Sequence, residues 1–194
     1  MLKIIHRINT SSELEKIPES FGVELDVRNI GRQLMLNHEP YGKGELFDDY
    51  CSRFRHAFMV VNIKTEGIEA DALRILAKHN IDDFFMLDLT FPSMMALASR
   101  GEKRFAVRFS EHEPLEGCLA MKGRAQWAWV DTFTRLPLDA ESYKKLKGAG
   151  FDICLVCPER WGRPSDIAAY RGFLEKNSIL PDAVMTDRKY AEKW

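Results

Sequence analysis

GVELDVRNIGRQLMLNHEP, residues 22 to 40, is the stretch on which the fold turns. Glu24 and Asp26 stand two apart in an apolar run, so on a strand they share one face while Val23, Leu25 and Val27 share the other. Two carboxylates on one face of a buried strand repel each other and lose hydration. They need a compensating cation, either a bound metal or basic side chains. Arg28-Asn29-Ile30-Gly31 reads as a turn, and Gln33 to Asn37 as a short strand ending on His38 and Glu39. An acidic pair, a hairpin and a histidine in one segment point to a catalytic edge.

Outward from this segment the chain alternates strand and helix. Apolar runs predict strands at Leu2 to His6, Val23 to Val27, Ala57 to Lys64, Phe84 to Leu87 and Arg104 to Phe109. Three more follow at Trp127 to Asp131, Phe151 to Val156 and Asp182 to Met185. Helical patterns fill the gaps. Glu45 to Phe54 has helical periodicity, and Ile68 to His79 carries an apolar stripe of Ile68, Ala72, Leu73, Leu76 and Ala77. Further helices are predicted from Pro92 to Ser99, Pro114 to Met121, Asp139 to Lys147 and Ser165 to Lys176.

Continuous apolar strands alternating with helices are the pattern of a parallel sheet covered by helices. Without the hairpin arm the strands number eight. The expectation is therefore an α/β fold: a compact TIM-type (β/α)₈ barrel, one domain over residues 1–194, with a short hairpin inserted after the second strand. An open doubly wound sheet is the alternative, though no G-x-G-x-x-G or P-loop accompanies it.

Composition narrows the function classes. A net charge of -1 leaves no basic surplus for non-specific nucleic-acid or anionic-membrane binding. No segment approaches the ~20 apolar residues of a membrane helix, and the N-terminal MLKIIHRINT is too polar for a secretory signal. Cys51, Cys118, Cys154 and Cys157 have no disulfide-framework spacing, so a cytoplasmic setting is expected. Cys154 and Cys157 lie three apart in a predicted strand and face opposite ways, with no second pair to complete a zinc site.

In a barrel of this kind the active site lies at the C-terminal strand ends. Those ends carry His6-Arg7, Glu24 and Asp26, Asn62 and Lys64, Asp88, Arg108, Asp131 and Glu159, with Asp187 after the last strand and His38-Glu39 on the hairpin. The set suits an anionic substrate with a divalent cation: carboxylates for the metal, Arg and Lys for phosphate oxygens, histidines for proton transfer. The plainer alternative pairs Glu24 and Asp26 with Arg7 and Lys64 as a structural ion network, and makes Asp88, Arg108, Asp131 and Glu159 rim salt bridges. His56 and His79 read as structural or solvated. His112 is a loop residue without an evident partner, and Trp127, Trp129 and Phe133 read as packing.

With these residues in place the chain resembles the glycerophosphodiester phosphodiesterase family, among the phosphatidylinositol-phospholipase-C-like barrels. The resemblance runs from His6-Arg7 through the E-x-D of Glu24 and Asp26, His38, and Asn62-Ile63-Lys64, to a last strand reading DAVMTDR. It implies a phosphoric diester hydrolase acting on a small glycerophosphodiester-like molecule. Glu24, Asp26 and Asn62 would hold calcium or magnesium, His6 and His38 would be the acid–base pair, and Arg7, Lys64 and Arg108 would contact phosphate. Two positions depart from the family pattern: Asn62 stands where a Glu is usual, and Glu39 where an Asp follows the second histidine. Two further readings stay open, a phosphate-binding barrel without turnover and a sugar-phosphate isomerase or aldolase using Lys64.

Overall fold

The computed structural model describes residues 1–194, and the chain divides into two compact units. One unit runs from Ile4 to Leu97; the other takes Ala98 to Trp194 together with Met1–Lys3.

The first unit contains the end of β1 (Leu2–Ile5), a single helical turn α1 (Ser11–Leu14), β2 (Gly22–Ile30), β3 (Gln33–Leu36) and β4 (Glu45–Leu46). There follow α2 (Phe47–Arg53), β5 (Phe58–Ile63), α3 (Glu69–Lys78), β6 (Phe84–Leu87) and most of α4 (Phe91–Ser99). β1, β2, β5 and β6 pair in parallel, with Val23 opposite both Ile5 and Met59, and Asp26 opposite Asn62. Val23, Leu25 and Val27 are buried on one face of β2 and Glu24 and Asp26 on the other, so this strand is enclosed on both sides. That enclosure is what makes the acidic pair costly and informative.

β2 is longer than the sequence suggests. Arg28, Asn29 and Ile30 form no turn: they extend the strand and pair antiparallel with Met35, Leu34 and Gln33. Once β2 passes its parallel neighbours, β3 supplies new backbone partners, and the reversal shrinks to Gly31-Arg32, where Gly31 takes φ +59°. Glu45 and Leu46 likewise open as a two-residue strand against β3 before α2 begins at Phe47. Gly44 permits that approach, because a Cβ there would strike the Leu36 carbonyl. On α3, Ala72 and Leu76 are buried with Ile68 just ahead of them, whereas Ala77 is exposed, so the apolar stripe is narrower than its residue types imply.

The second unit holds β7 (Ala106–Phe109), α5 (Leu115–Ala120), β8 (Trp127–Val130), α6 (Ala140–Gly148), β9 (Asp152–Val156), α7 (Ile167–Lys176) and β10 (Ala183–Thr186). β7, β8, β9 and β10 are parallel in that order, and Leu2 N–H donates to Asp182 O beside them. Asp139 caps α6 through a reciprocal pair of bonds with Ser142.

All four cysteines are buried and none is in a disulfide. Burial pushes the Cys118 thiol up to about 12 and raises Cys51 and Cys157 as well, the opposite of what a reactive thiol requires. No helix is long and apolar enough to cross a membrane.

Candidate active site

Glu24 and Asp26 open the site, 2% and 1% exposed. Asn62, opposite Asp26 on β5, donates from Nδ2 to Glu24 Oε1 at 2.9 Å. The other Glu24 oxygen accepts Arg7 N–H at 2.8 Å and lies 3.8 Å from His6 Nε2. Arg7 adopts φ +56°, a left-handed conformation uncommon outside glycine, just beyond the end of β1. The conformation aims its N–H at the carboxylate and leaves the guanidinium Nε 3.8 Å from Asp26 Oδ2.

Asp26 is bound on every side. Asn9 brackets it, donating from Nδ2 to Oδ2 at 2.9 Å and accepting the Asp26 N–H on Oδ1 at 2.8 Å. Lys64 Nζ lies 3.5 Å from Asp26 Oδ1 and 3.2 Å from Asp88 Oδ2. Asp88, directly after β6, also has positive φ, at +60°. Burial pushes the Glu24 carboxyl above the usual carboxylate range and the Asp26 charge adds to it; His6, Asn62 and the Arg7 N–H pull the other way.

The hairpin delivers His38. Asn37 N–H donates to Asp26 O at 3.0 Å, tying the end of β3 to the acidic strand. Arg28 then clasps the His38 carbonyl with Nε and Nη2 at 3.1 and 2.8 Å, while Nη1 reaches the Lys64 carbonyl at 3.1 Å. His38 Nδ1 and Glu39 Oε1 are 2.6 Å apart, which leaves Nε2 as the ring nitrogen not engaged by Glu39. The His38 bond and charge hold the Glu39 carboxyl below its ordinary range, with smaller contributions from Arg7 and Arg28.

His6, Arg7, Glu24, Asp26, His38, Asn62 and Lys64 thus all belong to the first unit, within β2 (Glu24 and Asp26), at the C-terminal ends of β1 and β5, or on the hairpin. Sequence reasoning missed Asn9 and Arg28. Asn9 sits three residues after His6 in H-R-x-N, a polar residue just past a strand end, and Arg28 lies in β2 where its sequence reads as a turn.

Arg108 belongs to the second unit, where its contacts are those of an ion-pair clamp. Its Nε meets Glu113 at 2.7 Å and its Nη2 meets Asp131 at 2.8 Å. Asp131, 3% exposed, also accepts Trp161 Nε1 at 2.7 Å and the Thr132 N–H at 2.9 Å. Glu159 is buried and accepts from the Thr186 hydroxyl and, at 3.3 Å, from the Asp187 N–H. His112 and Phe133 lie with ring centres 5.7 Å apart and planes tilted by 44°, and Phe133 meets Trp161 at 4.5 Å. His56 donates from Nε2 to the Ile17 carbonyl, and His79 pairs with Asp48.

No family model and no curated protein matches the chain. Solved structures do. A glycerophosphodiester phosphodiesterase from Agrobacterium tumefaciens covers 100% of this chain and 100% of its own, with a TM-score of 0.68 and 16% identity. A second Agrobacterium tumefaciens protein, assigned as a glycerophosphoryl diester phosphodiesterase, gives a TM-score of 0.71 at 13% identity over 99% of this chain and 96% of that one. A glycerophosphoryl diester phosphodiesterase from Parabacteroides distasonis gives 0.64 at 11% identity, over 99% and 85%. The fold is that of the glycerophosphodiester phosphodiesterases. At these identities the likeness extends to the α/β architecture, and the side chains must carry the chemistry on their own.

The divalent cation implied by the family resemblance does not fit the donor set as arranged. Calcium takes six to eight oxygens and magnesium a near-octahedral shell. Here both Glu24 oxygens and Asp26 Oδ2 accept N–H donors, and Asp26 Oδ1 faces the Lys64 ammonium. Asn62 turns its NH₂ toward Glu24, leaving Oδ1 as a buried acceptor without a donor. No three His, Cys, Asp or Glu side chains assemble into a metal-ligating group.

Proposed function

We propose that this chain is a phosphoric diester hydrolase acting on a small glycerophosphodiester-like substrate. The observation that carries the reading is the convergence of Arg7, Lys64 and His6 on the buried Glu24–Asp26 pair, within a fold shared with glycerophosphodiester phosphodiesterases. A bare structural ion network has no need of a histidine beside the carboxylate, nor of two residues with backbones held at positive φ around it.

In this reading the phosphate enters against Lys64 and Arg7. Lys64 is ion-paired to the more exposed Asp88 as well as to Asp26, so a phosphoryl oxygen can take the place of Asp88 while Asp26 keeps the ammonium aimed. One histidine accepts the proton of an adjacent substrate hydroxyl as its oxygen bonds to phosphorus. The bond from phosphorus to the leaving oxygen breaks, and the other histidine protonates that oxygen. Water then opens the cyclic phosphodiester with the two roles exchanged, giving a phosphomonoester and restoring both rings. Lys64 and Arg7 stabilise the charge that builds on the phosphoryl oxygens. Glu39 and Arg28 hold the His38 ring and backbone. A Schiff-base role for Lys64 would require its release from both carboxylates, and the geometry favours the phosphate contact.

The test is hydrolysis of an aryl phosphodiester and a panel of glycerophosphodiesters, with His6→Ala as control. Cleavage that is lost in His6→Ala supports the reading. Tight binding of glycerophosphodiesters with no turnover would instead identify a phosphate-binding protein.

A further inference from the structure

We infer that the Glu24–Asp26 pair is balanced by protein cations, so that the diester chemistry proposed above runs without a resident divalent metal. The inference deepens that reading of the site and rests on it, but its main test does not depend on activity.

Protein cations already stand beside the two buried carboxylates. Lys64 Nζ lies 3.5 Å and Arg7 Nε 3.8 Å from Asp26, and the more exposed Asp88 pairs with the same Lys64 at 3.2 Å. Asn62 is the position that keeps the balance: it sits opposite Asp26 on the neighbouring strand and adds no charge. A carboxylate there would add a third buried negative charge to Glu24 and Asp26, one that a divalent ion could neutralise. With an amide, the NH₂ can instead donate to Glu24.

Hydrogen bonds hold the pair as well. The Arg7 N–H and the Asn62 NH₂ donate to the two Glu24 oxygens and the Asn9 NH₂ to Asp26 Oδ2, and a cation bridging the carboxylates would approach a lysine ammonium already beside Asp26. Asn62 Oδ1 has no donor, but it is a neutral oxygen and adds no charge to a shell for a hard divalent ion. The positive charge for the phosphoryl oxygens then comes from Lys64 and Arg7, whose side chains are 18% and 38% exposed and therefore reachable by an anion.

The experiment compares melting curves of chelator-treated full-length protein in millimolar calcium or magnesium chloride and in EDTA, since an ion that binds only the native state raises Tm. The wild type should show no saturable shift. Asn62→Glu, which adds the third carboxylate, and Lys64→Met, which removes the ammonium from Asp26, should each gain one. Should Asn62→Glu fail to fold, Lys64→Met makes the same comparison. A saturable rise in the wild type, or no gain in a folded Lys64→Met, overturns the inference. Hydrolysis of an aryl phosphodiester separates the two proposals: turnover unchanged by EDTA supports both, and turnover that requires added metal overturns this inference while the hydrolase reading stands. If no diester is cleaved under either condition, the hydrolase reading falls, and the melting curves still decide the charge balance.

Discussion

Asn62 presents its amide nitrogen to Glu24, with Nδ2 2.9 Å from Oε1. A neutral donor eases the Glu24 charge without cancelling it, and burial together with Asp26 still raises the carboxyl above its ordinary value of 4.5. The native state therefore holds this proton more tightly than the unfolded chain does. The stability linked to Glu24 is fully present below about pH 4.5 and is lost as pH rises through the higher folded value. Glu24→Gln does not titrate, so it should be more stable than the wild type at neutral pH and lose that advantage in acid. Rotation of the Asn62 amide would give the new NH₂ an acceptor in Oδ1, which now has no donor. Each 1 kcal/mol gained corresponds to a Tm rise of roughly 2–4 °C for a chain of this size. Melting curves across pH check it, and a difference that does not change with pH would contradict the assignment.

How much of this was legible follows from which contacts are local. Strand periodicity and the E-x-D spacing are local, so the parallel strands and the buried pair could be read directly, as could His6 and Lys64 at strand ends. The extension of β2 through Ile30 is not local: β3 supplies its partners from across the reversal, and Arg28 reads as a turn residue without those pairs. Asn9 was invisible for a similar reason: its two bonds to Asp26 span 17 positions and depend on how the chain leaves β1. Asn62 could be read as a metal ligand from its position. Only the direction of its amide shows it donating to the carboxylate instead.

Arg28 ties the His38 carbonyl to the Lys64 carbonyl, joining the hairpin to the end of β5. Arg28→Met should loosen His38 without removing any group that touches phosphate. The expected signature is a kcat reduced by about tenfold to a hundredfold, as for a misplaced catalytic group. KM should change less, and Arg28→Lys should restore part of the rate through a single bond to the carbonyl. Steady-state kinetics on an aryl diester reads both, and a rise in KM alone would show that Arg28 serves binding instead.

Arg108 supplies the cation in hydrogen-bond contact with the buried Asp131, through Nη2 at 2.8 Å. Its removal leaves a carboxylate 3% exposed without that ion pair, and breaking such a pair costs roughly 3–5 kcal/mol. Arg108→Met should therefore lower stability by about 3 kcal/mol, measured by denaturant unfolding. Arg108→Met/Asp131→Asn should recover much of the loss, because the uncompensated charge is then gone. If the single variant unfolds like the wild type but its KM rises, Arg108 serves the substrate and not the fold.

The acid–base assignment is tested by the two histidines together. His6 stands beside Glu24 Oε2 at the end of β1, while His38 arrives on the hairpin with Nδ1 engaged by Glu39, so the two rings come from separate segments. Replacing either with Ala should lower kcat by roughly 10²–10⁴, the range for a lost general acid or base. Glu39→Gln should cost less, since the amide can still accept from Nδ1 while the charge is lost. If both histidines act in one proton circuit, the double variant should be little slower than the worse single, not slower by the product of the two. Tm should stay near the wild type for His38→Ala, whose side chain is 35% exposed on the hairpin. Wild-type rates in both single variants on a diester that the protein cleaves would rule this mechanism out.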